Sequence, residues 1–196
     1  MKFATFPRIV SIALAGLFAG TTTLTIVPTS AIAAPVDVSS AIKLHNASRD
    51  GDTDATQQAV AAFTALLADN SDDPQTLAYL GSSYALTARD ASSVVDKIRF
   101  TNRALRFLDQ AVNMAPSDFT VRIIRGSVTS NLPAMFGRAD STVADYIALD
   151  QMFSVTQAPS MAPAMIQVYS QLAELAPGQD DWGLKLDAAR TLAAGN

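Results

Sequence analysis

The chain has 196 residues, 49% of them hydrophobic, with a formal charge of −4, one histidine, one glutamate and no cysteine. Disulfide staples, a lipidated cysteine and cysteine-held metals are therefore excluded, and chemistry that needs several histidines or paired glutamates lacks its residues. The acidic sum speaks against general nucleic-acid binding.

Residues 1–33 read as a signal peptide. Lys2 and Arg8 give a basic start, Ile9 to Val27 is largely apolar, and Ala31-Ile32-Ala33 offers small residues to a signal peptidase. The competing reading is a retained anchor, since the stretch approaches the roughly 20 residues that cross a bilayer. Gly16, Gly20 and the threonines from Thr21 to Thr25 weaken it as a span. Cleavage after Ala33 implies a periplasmic or secreted protein.

Residues 34–54 form a polar lead-in with one short helix around Ser40 to Ala47 and a solvent-facing His45. Asp54 to Ala68 carries Ala59, Phe63, Leu66 and Leu67 at helical spacing. Pro74 opens the next helix, where its missing amide hydrogen costs nothing, and Leu77, Leu80, Gly81 and Tyr84 mark one face. A polar stretch follows, then a long helix from Val94 to Met114 with Phe100, Ala104, Leu108 and Ala111 as its stripe. Ala115-Pro116-Ser117-Asp118 ends it and caps a helix from Phe119 to Asn131. Further helices are expected over Asp140 to Phe153, Ala164 to Ala176 and Asp181 to Ala194, the last anchored by Trp182. Between them Pro133 and Gly137 break the chain around Met135 and Phe136, which either form an exposed lip or plug the groove between helices.

Two stretches superimpose with an offset of 45 residues: Ala59, Phe63, Leu66, Ser71 and Gly81 recur as Ala104, Leu108, Ala111, Pro116 and Gly126. Small and large side chains alternate where helices must pack, which indicates stacked helical hairpins. The spacing Leu77-x2-Leu80-Gly81-x2-Tyr84, then Ala104-x3-Leu108-x2-Ala111-x4-Pro116, resembles the tetratricopeptide repeat over residues 55–153. The resemblance implies an all-α fold, a short right-handed α-solenoid of antiparallel helix hairpins, with about seven helices after the signal peptide. The domain spans residues 55–196, with residues 164–194 as capping helices.

Three departures qualify the match. Gly81 to Ala104 is about 11 residues longer than the family spacing, which implies an enlarged hairpin tip. Arg122 and Arg125 stand where Leu77 and Leu80 stood, which suggests a rotated or bent helix. In the third copy, Ala144 with Ala148 and Leu149 with Phe153 offer competing registers.

The resemblance implies a concave surface that holds a peptide or partner helix, and no catalytic residue, cofactor or metal. Charge picks out a candidate surface. Residues 89–138 sum to +4, while residues 34–88 and 139–196 each sum to −5. Arg99, Arg103 and Arg106 share one helix face, Arg122 and Arg125 lie on the next helix, and Arg138 follows. Arginine forks bind carboxylates, so an acidic peptide of a protein partner, a C-terminal carboxylate or an anionic envelope component suits them. The alternative is an internal network with Asp96, Asp109 and Asp118. Two functions follow: an adaptor of the cell envelope, or a small-carboxylate-binding accessory protein of an uptake system.

Catalytic patterns are thin. His45 alone cannot build a triad or a histidine-rich metal site. Asp50-Gly51-Asp52-Thr53-Asp54 has the alternation of a calcium loop, but Ala55 and Ala61 stand where its glycine and glutamate belong. It reads as an acidic loop. No glycine-rich phosphate loop occurs.

Overall fold

The computed structural model describes residues 37–195, whose regular structure is helical throughout. The signal-peptide reading falls outside them. Eight α-helices occur among the described residues: α1 (Val38–Arg49), α2 (Thr53–Asp69), α3 (Pro74–Asp90), α4 (Val94–Met114), α5 (Phe119–Thr129), α6 (Ala139–Thr156), α7 (Ala162–Leu175) and α8 (Trp182–Ala194). Short 3₁₀ turns at Ala134–Phe136 and Pro159–Met161 lie on either side of α6.

Side-chain caps fix where many of these helices begin. Asp37, Asp52, Asp73, Ser93, Asp118 and Asp181 each accept a bond from an amide of the first turn, which otherwise has no intrahelical partner. Five aspartates are thereby spent on local structure. Asp52 is among them, so the segment read as an acidic loop is the junction at which α1 ends and α2 starts, with Gly51 at φ +109°.

Consecutive helices pair as hairpins, α1 with α2, α3 with α4, α5 with α6 and α7 with α8. The hairpins then stack: α3 packs on α1, α2 and α5, and α7 packs on α6. The small-against-large pattern is the physical basis of this packing. A Cβ on Gly81 would lie 2.8 Å from Leu108 Cγ and 3.0 Å from the Ala104 carbonyl oxygen, so only glycine lets α3 approach α4 this closely. Gly126 does the same between α5 and α6, where a Cβ would lie 2.5 Å from Tyr146 Cε1. Ala59, Phe63, Ala104 and Leu108 are fully buried, as the repeat requires. In α6 the Leu149 and Phe153 register is the buried one, while Ala144 is exposed. Trp182 closes the last hairpin, stacked on Tyr169 and donating Nε1–H to the Ala176 carbonyl at 2.9 Å.

Two expectations are corrected. The enlarged tip is not a loop: α3 runs on to Asp90, and with α4 starting at Val94 as expected only Ala91–Ser93 is left as the connection. The lead-in helix is a full structural member, since α1 is the first half of a hairpin and buries Ala41, His45 and Ser48. No helix of the described residues is long and apolar enough to cross a membrane.

Candidate functional site

α1 packs on α3 and α3 on α5, so the first helices of these hairpins share one surface. Along it runs a groove of about 1150 Å³ lined by α1, α3, α5 and α7, with the start of α4 and the 131–136 segment as its rim. Its charged lining residues are Arg49, Arg89 and Lys97, with no carboxylate among them. Its apolar lining includes Leu86, Ile98, Ile123, Ile124, Val128 and Phe136.

His45 stands in the wall of this groove and is 4% exposed, so the expectation of a solvent histidine is corrected. Its Nε2 lies 2.9 Å from Ser82 Oγ on α3, and its ring meets Tyr79 edge-on at 5.3 Å between centroids. Burial, reinforced by the positive charge of Arg49, lowers its pKa to about 4. The imidazole is therefore neutral at pH 7. His45 Nδ1 is buried without a hydrogen-bond partner among the described residues. A serine beside a histidine invites comparison with a nucleophile and base, but no carboxylate orients this ring and Ser82 sits inside a helix, whose amides are already bonded.

Cations gather at the carboxyl ends of α1 and α3. Arg89 Nη2 donates to the Ser48 carbonyl at 2.9 Å, and Lys97 Nζ donates to the Arg89 carbonyl at 3.1 Å. Asp90 is taken by Arg89 at 2.7 Å, and its pKa is lowered chiefly by that hydrogen bond. Arg49 and Lys97 have no carboxylate partner within salt-bridge distance among the described residues.

None of the six arginines singled out from the sequence lines this groove. Arg122 and Arg125 point at Asp145 of α6, which is fully buried, with Arg122 Nη1 to Oδ1 at 2.7 Å and Arg125 Nε to Oδ2 at 2.7 Å. Arg125 also reaches Asp109 of α4 at 3.1 Å, and Arg138 binds the same carboxylate. These three arginines tie α4, α5 and α6 together. Arg122 and Arg125 stand where Leu77 and Leu80 stand in the first copy and are received by a buried carboxylate, while Val121 enters the core with Ile124 and Val128 beside it. Arg99, Arg103 and Arg106 are exposed on α4: Arg99 pairs with Asp96 at 2.9 Å, and Arg103 lies over the Tyr84 ring at 4.4 Å.

Met135 and Phe136 divide between the two roles weighed for them. Met135 is 74% exposed at the rim, Phe136 is half-buried, and Gly137 turns the chain at φ +62°. A second hollow of about 800 Å³ lies between α6, α7 and α8. There Asp150 accepts from Tyr169 Oη at 2.9 Å and from Lys185 Nζ at 2.9 and 3.0 Å. Its charges satisfy one another, so the unpaired cations and the large apolar lining belong to the first groove.

No family model matches the chain, and no curated protein matches it. Among solved structures, a thermophilic TPR protein from Thermus thermophilus is similar at 18% identity, over 77% of this chain and 81% of that chain, with a TM-score of 0.48. At this score the likeness adds nothing to the hairpin packing, which by itself has the form that the tetratricopeptide resemblance implies.

Proposed function

We propose that this chain is an exported interaction module of the cell envelope that holds an acidic segment of a partner protein in the groove formed by α1, α3, α5 and α7. The observation that carries this reading is the lining: among the described residues Arg49 and Lys97 face the groove without a salt-bridged carboxylate, beside a broad apolar floor. Unpaired cations next to apolar surface favour an anionic ligand with apolar groups over water. Export is supported by the basic start, apolar stretch and Ala31-Ile32-Ala33 of the leader.

The six arginines take different parts in this reading. Arg122, Arg125 and Arg138 serve the fold, and Arg99, Arg103 and Arg106 form an outer basic stripe that is not required for groove binding. A small-carboxylate function needs far less than 1150 Å³ and leaves the apolar floor unused. The test is titration of the chain with acidic peptides and, separately, with small dicarboxylates. Peptide binding that Arg49→Gln with Lys97→Gln weakens about tenfold supports the proposal, a difference of about 1.4 kcal/mol. Thermal stabilisation by dicarboxylates alone contradicts it.

A further inference from the structure

We infer that the occupant of the groove is a segment with acidic residues at one end and apolar residues at the other, lying with its acidic end over the carboxyl termini of α1 and α3. This rests on the groove being the binding site and adds the polarity and direction of what it holds.

The groove is polarised across its helices. Every charged lining residue comes from α1, α3 or the start of α4, and α5, the 131–136 segment and α7 contribute none. At the charged end, Arg49, Arg89 and Lys97 form one cluster through the Arg89 bond to the Ser48 carbonyl and the Lys97 bond to the Arg89 carbonyl. Asp90 pairs with Arg89 and its charge also reaches Lys97, one carboxylate beside three cations among the described residues. At the other end, Ile123, Ile124 and Val128 on α5 face the groove with Leu132 and Phe136. Val94 and Met135 at the rim are 70% and 74% exposed.

A wholly acidic segment meets the cations but leaves the apolar half against water. A wholly apolar one covers Arg49 and Lys97 without pairing them, which costs the desolvation of both charges. Only an amphiphilic occupant satisfies both halves. A polypeptide suits the groove better than an acyl chain, because Asn46 in the α1 wall and Gln167 in the α7 wall are both exposed. The site is thus open at its two ends and not a closed tunnel. Two packed-helix spacings, from α1 through α3 to α5, amount to roughly 16–20 Å, which an extended segment of about six residues covers.

The absence of native cysteine makes the test direct. N46C and Q167C, each in the otherwise unchanged chain, are spin-labelled and mixed with a ten-residue isotope-labelled peptide bearing three aspartates at one end and three leucines at the other. Broadening of the aspartate signals by the label at position 46, and of the leucine signals by the label at 167, is expected. The opposite pattern, or equal broadening of both ends by each label, overturns the inference while leaving the groove as the binding site. Failure of the unlabelled chain to bind the peptide overturns the proposed function as well. Replacing the three leucines with serine is expected to weaken binding at least tenfold. Unchanged affinity, or binding of a long-chain fatty acid in place of the peptide, also overturns the inference.

Discussion

Two groups of cations in this molecule face opposite situations. Around Asp145 and Asp109, three arginines bind carboxylates at the contact of α4, α5 and α6; in the groove, Arg49 and Lys97 form no salt bridge among the described residues, and Lys97 feels Asp90 only at longer range. The difference lies in the carboxylates. Where the neighbouring helix supplies a buried acid, an arginine becomes part of the packing; where it supplies only apolar side chains and carbonyls, the charge is left for something else. Clustering of arginine in a sequence therefore does not by itself mark a ligand surface.

The largest effect is expected from breaking the first group. Asp145→Ala leaves Arg122 and Arg125 facing a vacated buried site, and removal of one side of such a pair costs about 3–5 kcal/mol. Thermal and denaturant unfolding measure it, and a loss within 0.5 kcal/mol shows that the network does not hold the hairpins. The same logic predicts a clear drop in melting temperature for Arg122→Ala with Arg125→Ala, which strips the buried Asp145 of both its cations.

Smaller losses come from packing and from titration. Gly126→Ala forces a methyl group against the Tyr146 ring, an overpacking that costs about 1–3 kcal/mol and is read as a lowered denaturant midpoint. His45 gives a pH effect whose sign follows from linkage. Its folded pKa of about 4 lies below the ordinary value of 6.5, so the unfolded chain binds more protons between these values. The stabilisation of the folded state is full above about pH 6.5 and is lost as pH falls toward 4, by on the order of 3 kcal/mol for a separation of that size. Melting curves across this range test it, and His45→Gln should flatten that part of the dependence. A profile as steep in the variant as in the parent contradicts the assignment.

The second group should behave in the opposite manner. Arg49→Gln with Lys97→Gln touches no salt bridge among the described residues, so the unfolding free energy is expected to change by no more than the ordinary scatter of surface changes, about 0.5 kcal/mol.

Much of the fold was legible because its signals are local. Ser93 and the Ala115-Pro116 break bound α4 at Val94 and Met114, and the spacing of Gly81 to Ala104 and Leu108 anticipates which groups touch. The continuation of α3 to Asp90 was less evident, because Thr87 to Asp90 belongs to a polar stretch, although Leu86 falls at a spacing that allows continued helix. His45 carried no such signal: α1 mixes three serines, Lys43, Asn46 and Arg49 with its few apolar residues, and the partner of the ring lies 37 residues away at Ser82. The fate of Arg122 and Arg125 depended on which face of α6 carries Asp145, a matter of tertiary register. The groove draws on five separate stretches of chain, and no single stretch reveals it.

The most direct test of the account is a single set of peptide titrations comparing two variants that leave the buried network intact. For a peptide with an acidic end and an apolar end, Arg49→Gln with Lys97→Gln should weaken binding about tenfold, and Arg99→Gln with Arg103→Gln and Arg106→Gln should leave it within twofold of the parent. Loss of binding in the outer-stripe variant, with the groove variant unaffected, would contradict the account.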